Sequence, residues 1–499
     1  MMPSITDNHV TIRKWLMECE SEHVSCIPPD VEPPKRLIEV GSSGSPVRLV
    51  NTNNGFKEHW RYATLSHCWG SYRPLTLTVE NEESFMNQIP WESLPQSFRE
   101  AIDIARATKI PYLWIDSLCI AQDDEVEWRQ EALRMRDVYF GSTLAICASD
   151  SRNSLAGCFL QKDEGPLVPI SEELMRFSTV LPKGENAVSI RVLRGDERTR
   201  RERCALAVRG WTLQEQVLPN RVIYCLRTGI QWHCRCAHLT HSGVSFNESY
   251  WNSLKVKALP LLASPTELHE VWCRWMEDYS TRDLTFPRDR FAALAGITQE
   301  YSDRSGHRHL LGSWEQTLTN DLLWMRCDKV EEPCNMLPGV PSWTWLSRCK
   351  GISFEFRDKL YPRNWIEDID QVEVVEANVS WTGVPLLSNI AQSRLVLKGS
   401  VKVLKLLISP PASGVFHIDF DGTFDDEKER GSTAYPCLLM RTRTCIQDNG
   451  FISSKEIFLI LEQSPVGNST DTYRRIGLGV FRGARSQFEG SCRKQVILI

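Results

Sequence analysis

The chain is predicted to be an α/β protein: an open parallel sheet with flanking helices, then a mixed helical extension and a β-rich C-terminal region. Three observations carry this. Strand-like runs near 62–66, 112–116 and 143–148 alternate with helical patterns near 95–108 and 124–139, the order that encodes a parallel sheet covered on both faces. The stretch Lys109 to Ala148 compresses that logic into strand, acidic loop, helix and strand. From about residue 394 the hydrophobic period falls to two, with Leu395, Leu397, Val401 and Val403 alternating against Lys398, Ser400 and Lys402.

Residues 1–56 read as a lead segment, with a short helix around Ile12 to Cys19 and a Pro-rich stretch that cannot hold regular structure for long. Two short strands, 36–40 and 47–50, are joined by GSSGSP, which lacks the Lys-Ser/Thr ending of a phosphate loop and predicts a hairpin turn. Strand 62–66 breaks into a polar turn at Ser66, His67, Cys68 and Gly70. Pro95 opens a helix with Phe98, Ala101, Ile102 and Ala105 on one face. Tyr112 to Ile115 then empties into Asp116, Ser117 and Cys119. Asp123 and Asp124 are N-caps, and Trp128, Ala132, Met135 and Tyr139 mark the next buried face. Residues 150–203 are irregular. A strand at 222–226 turns back into 230–234, and 266–326 reads as helical, with an apolar stripe at Trp272, Trp275, Met276 and Tyr279. The acidic run 419–430 predicts an exposed loop. The expected division is 1–56, 57–225, a mixed extension over 226–350 and a β-rich region over 351–499.

A formal charge of −5, with basic residues scattered among acidic ones, gives no footprint for nucleic acid. No run approaches the roughly 18 apolar residues of a membrane span, and the N-terminus lacks the apolar core of a signal peptide. A cytoplasmic location is the expectation. Seventeen cysteines at irregular spacing in a long chain predict reduced, mostly buried thiols.

Ligands of open parallel sheets sit outside the carboxyl ends of the strands. Ser66, His67, Asp116, Ser117 and Cys119 all fall there. Asp116 is read as a loop-organising or ligand-binding acid. No G-x-S-x-G elbow or cysteine-protease signature supports Cys68 or Cys119 as a nucleophile. The run HCRCAHLTH, 233–241, holds zinc-type donors, but its C-x-C spacing is poor for a closed site, so a thiol-rich strand end is expected and no metal.

The blocks YATLSHCWG (62–70), LPQSFREAIDIAR (94–106), YLWIDSLCIAQDDEVEW (112–128), MRDVY (135–139) and RGWTLQE (209–215) together resemble the fungal heterokaryon incompatibility (HET) domain. Downstream, 279–297, DLLW at 321–324 and PSWTW at 341–345 are similar to the extension of stand-alone members. The resemblance implies a role in fungal non-self recognition and programmed cell death, a TIR-like fold for 57–225, and a protein partner or self-association. Through the TIR relationship, the W-x-x-x-E of Trp211 to Glu215 implies Glu215 as the catalytic residue of an NAD-cleaving site. Ser66, His67, Trp69, Asp116, Ser117 and Trp211 would then bind substrate. NAD enters as substrate, with no resident cofactor. The residues themselves leave a second reading open, in which Glu215 caps or pairs with Arg209 or Arg221 to hold a short helix.

Overall fold

A strand buried on both faces reads as a continuous apolar run. Tyr62–Ser66 (β3 below) is such a run, with all five residues buried. The computed structural model describes residues 5–54, 60–70, 75–160, 204–227, 229–240, 264–326, 339–347, 351–354, 365–406, 416–420, 434–446, 452–464, 471–483 and 485–499. They form two compact units, one of Met1–Glu131 with Asp137–Asn247, the other of Ala132–Arg136 with Glu248–Ile499.

The first unit opens with helix α1 (Ile5–Glu22), longer than the sequence pattern predicts, and a hairpin of β1 (Arg36–Glu39) and β2 (Arg48–Asn51) around the Gly-Ser turn. After β3 come α2 (Glu82–Asn87), α3 (Gln96–Ala107), β4 (Tyr112–Trp114), the one-turn α4 (Asp116–Cys119), α5 (Glu125–Phe140) and β5 (Leu144–Ala148). The described chain resumes with α6 (Thr212–Val217), β6 (Arg221–Leu226), β7 (Gly229–Cys234) and β8 (His238–Thr240). Sheet order is β2-β1-β4-β3-β5-β6-β7-β8. β4, β3, β5 and β6 are mutually parallel, so the expected parallel core is present, but it is flanked by antiparallel strands on both sides.

Local chemistry explains the elements. The Asp124 carboxylate accepts the N–H groups of Val126 and Glu127 at 2.9 and 3.0 Å, capping α5. Phe98, Ala101, Ile102 and Ala105 of α3 are fully buried. On α5, Ala132, Met135 and Tyr139 are buried as predicted, whereas Trp128 is 37% exposed. Glu127 takes the inward position instead, because buried Arg36 of β1 binds it together with Glu82.

In the second unit, α7 (Pro265–Ser280) starts at a capping box of Ser264 and Glu267 and buries Trp272, Trp275, Met276 and Tyr279, the predicted stripe. α8 (Ala292–Ser305) ends at Gly306 in the left-handed conformation, where helices commonly stop. Helix was expected through 326. The chain instead makes short strands at β9 (His309–Leu310), β10 (Ser313–Trp314) and β11 (Trp324–Arg326), with a single helical turn at Leu318–Asp321.

The β-rich region is there: after β12 (Ile352–Phe354), a largely antiparallel sheet runs in the order β13-β17-β18-β19-β20-β15-β14. These are β13 (Trp365–Asp370), β14 (Val372–Trp381), β15 (Ile390–Lys405), β17 (Ala434–Ile446), β18 (Ile452–Gln463), β19 (Thr472–Gly483) and β20 (Cys492–Leu498), with β16 (Phe416–Phe420) pairing β19. Leu395, Leu397, Leu438, Ile457 and Leu459 pack in one apolar cluster, and Leu404, Cys437, Phe458 and Ile460 in another on the opposite face. Val403, expected in the core with Leu395, is 63% exposed, because burial on β15 has passed to Leu404 at the even positions. Asp419 and Phe420 end β16, and the rest of the predicted acidic loop lies outside the described residues, as does 161–203.

Candidate functional site

The parallel strands run β4-β3-β5-β6 while the chain visits β3 first, so its direction of winding reverses at β3. A crevice at the carboxyl ends beside such a reversal is the standard ligand position of doubly wound sheets. Ser66 closes β3 there, opposite Cys147 of β5.

The Ser66 hydroxyl donates to the Glu215 carboxylate of α6. Glu215 is 8% exposed. Burial raises its carboxyl from an ordinary 4.5 to about 7; Ser66 opposes the rise, Asp116 adds to it, and Arg209 and the Tyr139 hydroxyl oppose it. Arg209 does not form a hydrogen-bonded pair with Glu215 among the described contacts. Its guanidinium donates to the His67 carbonyl at 2.9 Å, fixing the turn after β3. Arg221 points elsewhere, to the Cys19 sulfur at 3.2 Å. α6 is held by Thr212, whose hydroxyl donates to the carbonyls of Leu206 and Arg209 at 2.6 and 2.9 Å.

Asp116, the first residue of α4, forms the second half of the site. It accepts from the Trp69 indole N–H at 3.1 Å and from the Ser117 backbone N–H at 2.7 Å, and its carboxylate lies 4.0 Å from His67 Nδ1. Burial pushes the His67 imidazole below its ordinary value against the pull of Asp116, so it is neutral at physiological pH. Its ring meets Phe98 edge-on at 4.9 Å. Three residues supply buried polar atoms with no hydrogen-bond partner among the described residues: His67 Nε2, Ser117 Oγ and both amide atoms of Gln214. Unpaired groups of this kind are expensive in a dry interior.

Ser66, His67, Trp69, Asp116 and Glu215 are thus linked by hydrogen bonds or close charges, with Ser117 beside Asp116. Trp211 is half-buried one turn before Glu215, its ring meeting Trp128 edge-on at 6.1 Å. Tyr139 belongs to the site through Glu215, although the sequence marks it only as one residue of an apolar helix face; the hydroxyl on an otherwise apolar stripe is the signal for it. A serine or cysteine nucleophile paired with His67 is not assembled among the described residues: the Ser66 hydroxyl faces Glu215, and burial raises the Cys119 thiol well above its ordinary value.

Fold and site define an α/β domain with four parallel strands at the centre of its sheet and a buried carboxylate beside the carboxyl end of β3. Residues 62–215 match the family described as heterokaryon incompatibility protein (HET), and this part of the chain is a HET domain. No curated protein and no solved structure matches the chain.

Proposed function

We propose that this chain is an effector of heterokaryon incompatibility and that its HET domain, TIR-like in fold, cleaves NAD at the nicotinamide–ribose bond, with Glu215 as the catalytic carboxylate. The C1′–N bond breaks, nicotinamide leaves with the electron pair, water adds to C1′, and one proton is released with ADP-ribose. Positive charge develops on the ribose, and an ionised carboxylate beside it lowers that barrier. Ser66 holds Glu215 in one orientation, with the Tyr139 hydroxyl favouring its charged form, while Asp116, Ser117, His67, Trp69 and Trp211 would receive the ribose and the rings. The observation that supports this reading best is the Glu215 carboxylate itself, buried, hydrogen-bonded by Ser66 at the carboxyl end of β3 and shifted to about 7.

The test is nicotinamide release from NAD by the purified full-length chain. Turnover is expected to fall ~100-fold or more in Glu215→Gln and less in Ser66→Ala, with both variants still unfolding cooperatively. Equal turnover by Glu215→Gln would remove Glu215 from the chemistry. A second reading, a non-catalytic module that signals by self-association or partner binding, draws support from Val126 and Leu133, 66% and 45% exposed on α5. Concentration-dependent assembly lost in Val126→Asp, with Glu215→Gln still toxic, would favour it.

A further inference from the structure

Cys234, the last residue of β7, does not meet the other donors of its own segment in a ligand set. It meets three from the N-terminus: Cys19 in the last turn of α1, His23 just beyond it, and Cys26 in the 3₁₀ turn Val24–Cys26. The four ligand atoms, three Sγ and an imidazole nitrogen, all lie within 4.8 Å of one another. Cys234 Sγ stands 3.4 Å from His23 Nδ1. In a tetrahedral zinc site with bonds of about 2.3 Å to sulfur and about 2.0 Å to nitrogen, neighbouring donors sit roughly 3.5–3.8 Å apart. The set therefore closes on a zinc ion with small side-chain adjustments.

We propose that Cys19, His23, Cys26 and Cys234 bind one zinc ion in a closed Cys₃His site that pins the N-terminal helix to the sheet. The local sequence is built for it. Cys19 and His23 are four residues apart, one above the other at the helix end, and the backbone bonds His23 N to Cys19 O (3.1 Å) and Cys26 N to His23 O (2.9 Å) turn the chain so that Cys26 returns to the same point.

The surroundings match the charge that three thiolates and a divalent ion would carry, a net −1. Arg221 is buried at 2% exposure and, among the described residues, has no carboxylate partner. Its Nε faces Cys19 Sγ at 3.2 Å, and its Nη1 donates to the Thr143 carbonyl. A metal-bound thiolate gives this buried guanidinium a counter-charge. The Ala237 N–H points at Cys234 Sγ, also at 3.2 Å, the kind of backbone donor that steadies a ligating thiolate. Asn220 extends the support, donating to the Ile27 carbonyl and accepting from Arg235. Cys236 Sγ is 3.9 Å from Cys26 Sγ but exposed and bound to Ser25, outside the set.

Four protein ligands leave no open position, so the role is structural. The sequence argues against a metal because it tests Cys234 only against its neighbours. His23 and Cys234 are 211 positions apart.

The experiment uses the full-length chain purified under reducing conditions. Elemental analysis should find about one zinc per chain. Replacement by cobalt should give the thiolate-to-cobalt charge-transfer band and the intense visible bands of a tetrahedral S₃N site. Cys234→Ser and His23→Ala should weaken metal retention about 100-fold, Cys236→Ser should leave it intact, and a chelator should lower the melting temperature of the parent chain. The cobalt spectrum of the parent chain decides the matter even if a variant fails to fold. A metal-free chain that gives no tetrahedral cobalt spectrum overturns the proposal. So does a disulfide between two of the four positions in peptides alkylated before digestion, or equal metal loss from Cys236→Ser.

Discussion

Arg475 and Glu215 are both buried ionisable groups, one in each unit, and they are treated in opposite ways. Arg475, on β19, is fully enclosed and saturated: its guanidinium donates to the carbonyls of Leu322 (2.8 Å) and Trp324 and lies 3.5 Å from the Trp324 ring centroid. Glu215 is nearly as enclosed, yet its partners fall short of what burial demands, and its carboxyl rises to about 7. A charge matched to its surroundings stabilises and specifies a fold. One left under-compensated, close to the unpaired polar atoms of His67 and Ser117, is the feature on which the proposed NAD site rests.

The sharpest way to break this contrast is Arg475→Met. It leaves two buried carbonyls without donors and should cost about 4 kcal/mol in chemical unfolding; a loss below about 1 kcal/mol would mean that the arginine is not matched after all. Next comes Arg36→Met, about 3 kcal/mol, since Glu127 and Glu82 lose their buried counter-charge.

The two carboxylates of the first unit then sharpen the picture by the sign of their pH dependence. Burial alone would raise Glu127, but Arg36, the Ala121 N–H and Lys35 outweigh it and hold the carboxyl at about 2. The unfolded chain binds the extra proton, so the stability Glu127 contributes is complete above pH ~4.5 and is lost as pH falls toward 2. Glu215 is the reverse: the folded chain binds the extra proton, so stability declines as pH rises from 4.5 through about 7. Glu215→Gln should flatten that slope and stabilise the chain by about 2 kcal/mol at pH 8, discounted from the ~3 kcal/mol that the full rise represents. Unfolding free energy measured across pH checks both signs. Smallest is Gly70→Ala, ~1–2 kcal/mol, because φ is +74° and a Cβ would stand 2.4 Å from that of Asn153.

What could be read from the sequence is what local periodicity encodes. The strands at 62–66 and 144–148, helices α3 and α5, the 221–234 hairpin and the Trp272–Tyr279 stripe all follow from burial on one face or both. Ser66, His67, Asp116 and Glu215 were legible as strand-end or motif positions, but the Ser66–Glu215 bond joins positions 149 apart and leaves no local trace. The same holds for β1 pairing β4, for Arg36 reaching Glu127, and for Cys234 meeting Cys19. Long-range pairing of this kind is set by tertiary packing, which no window of sequence contains. Trp128 misled because helical spacing alone cannot say which side of α5 Arg36 will claim for Glu127.

The most direct measurement is the NAD content of cells expressing the intact chain or Glu215→Gln at matched abundance, with growth followed in parallel. Loss of NAD and of growth with the intact chain, both absent with the folded variant, is the predicted result. Growth arrest by the intact chain at unchanged NAD would contradict the assignment of Glu215 as a catalytic carboxylate.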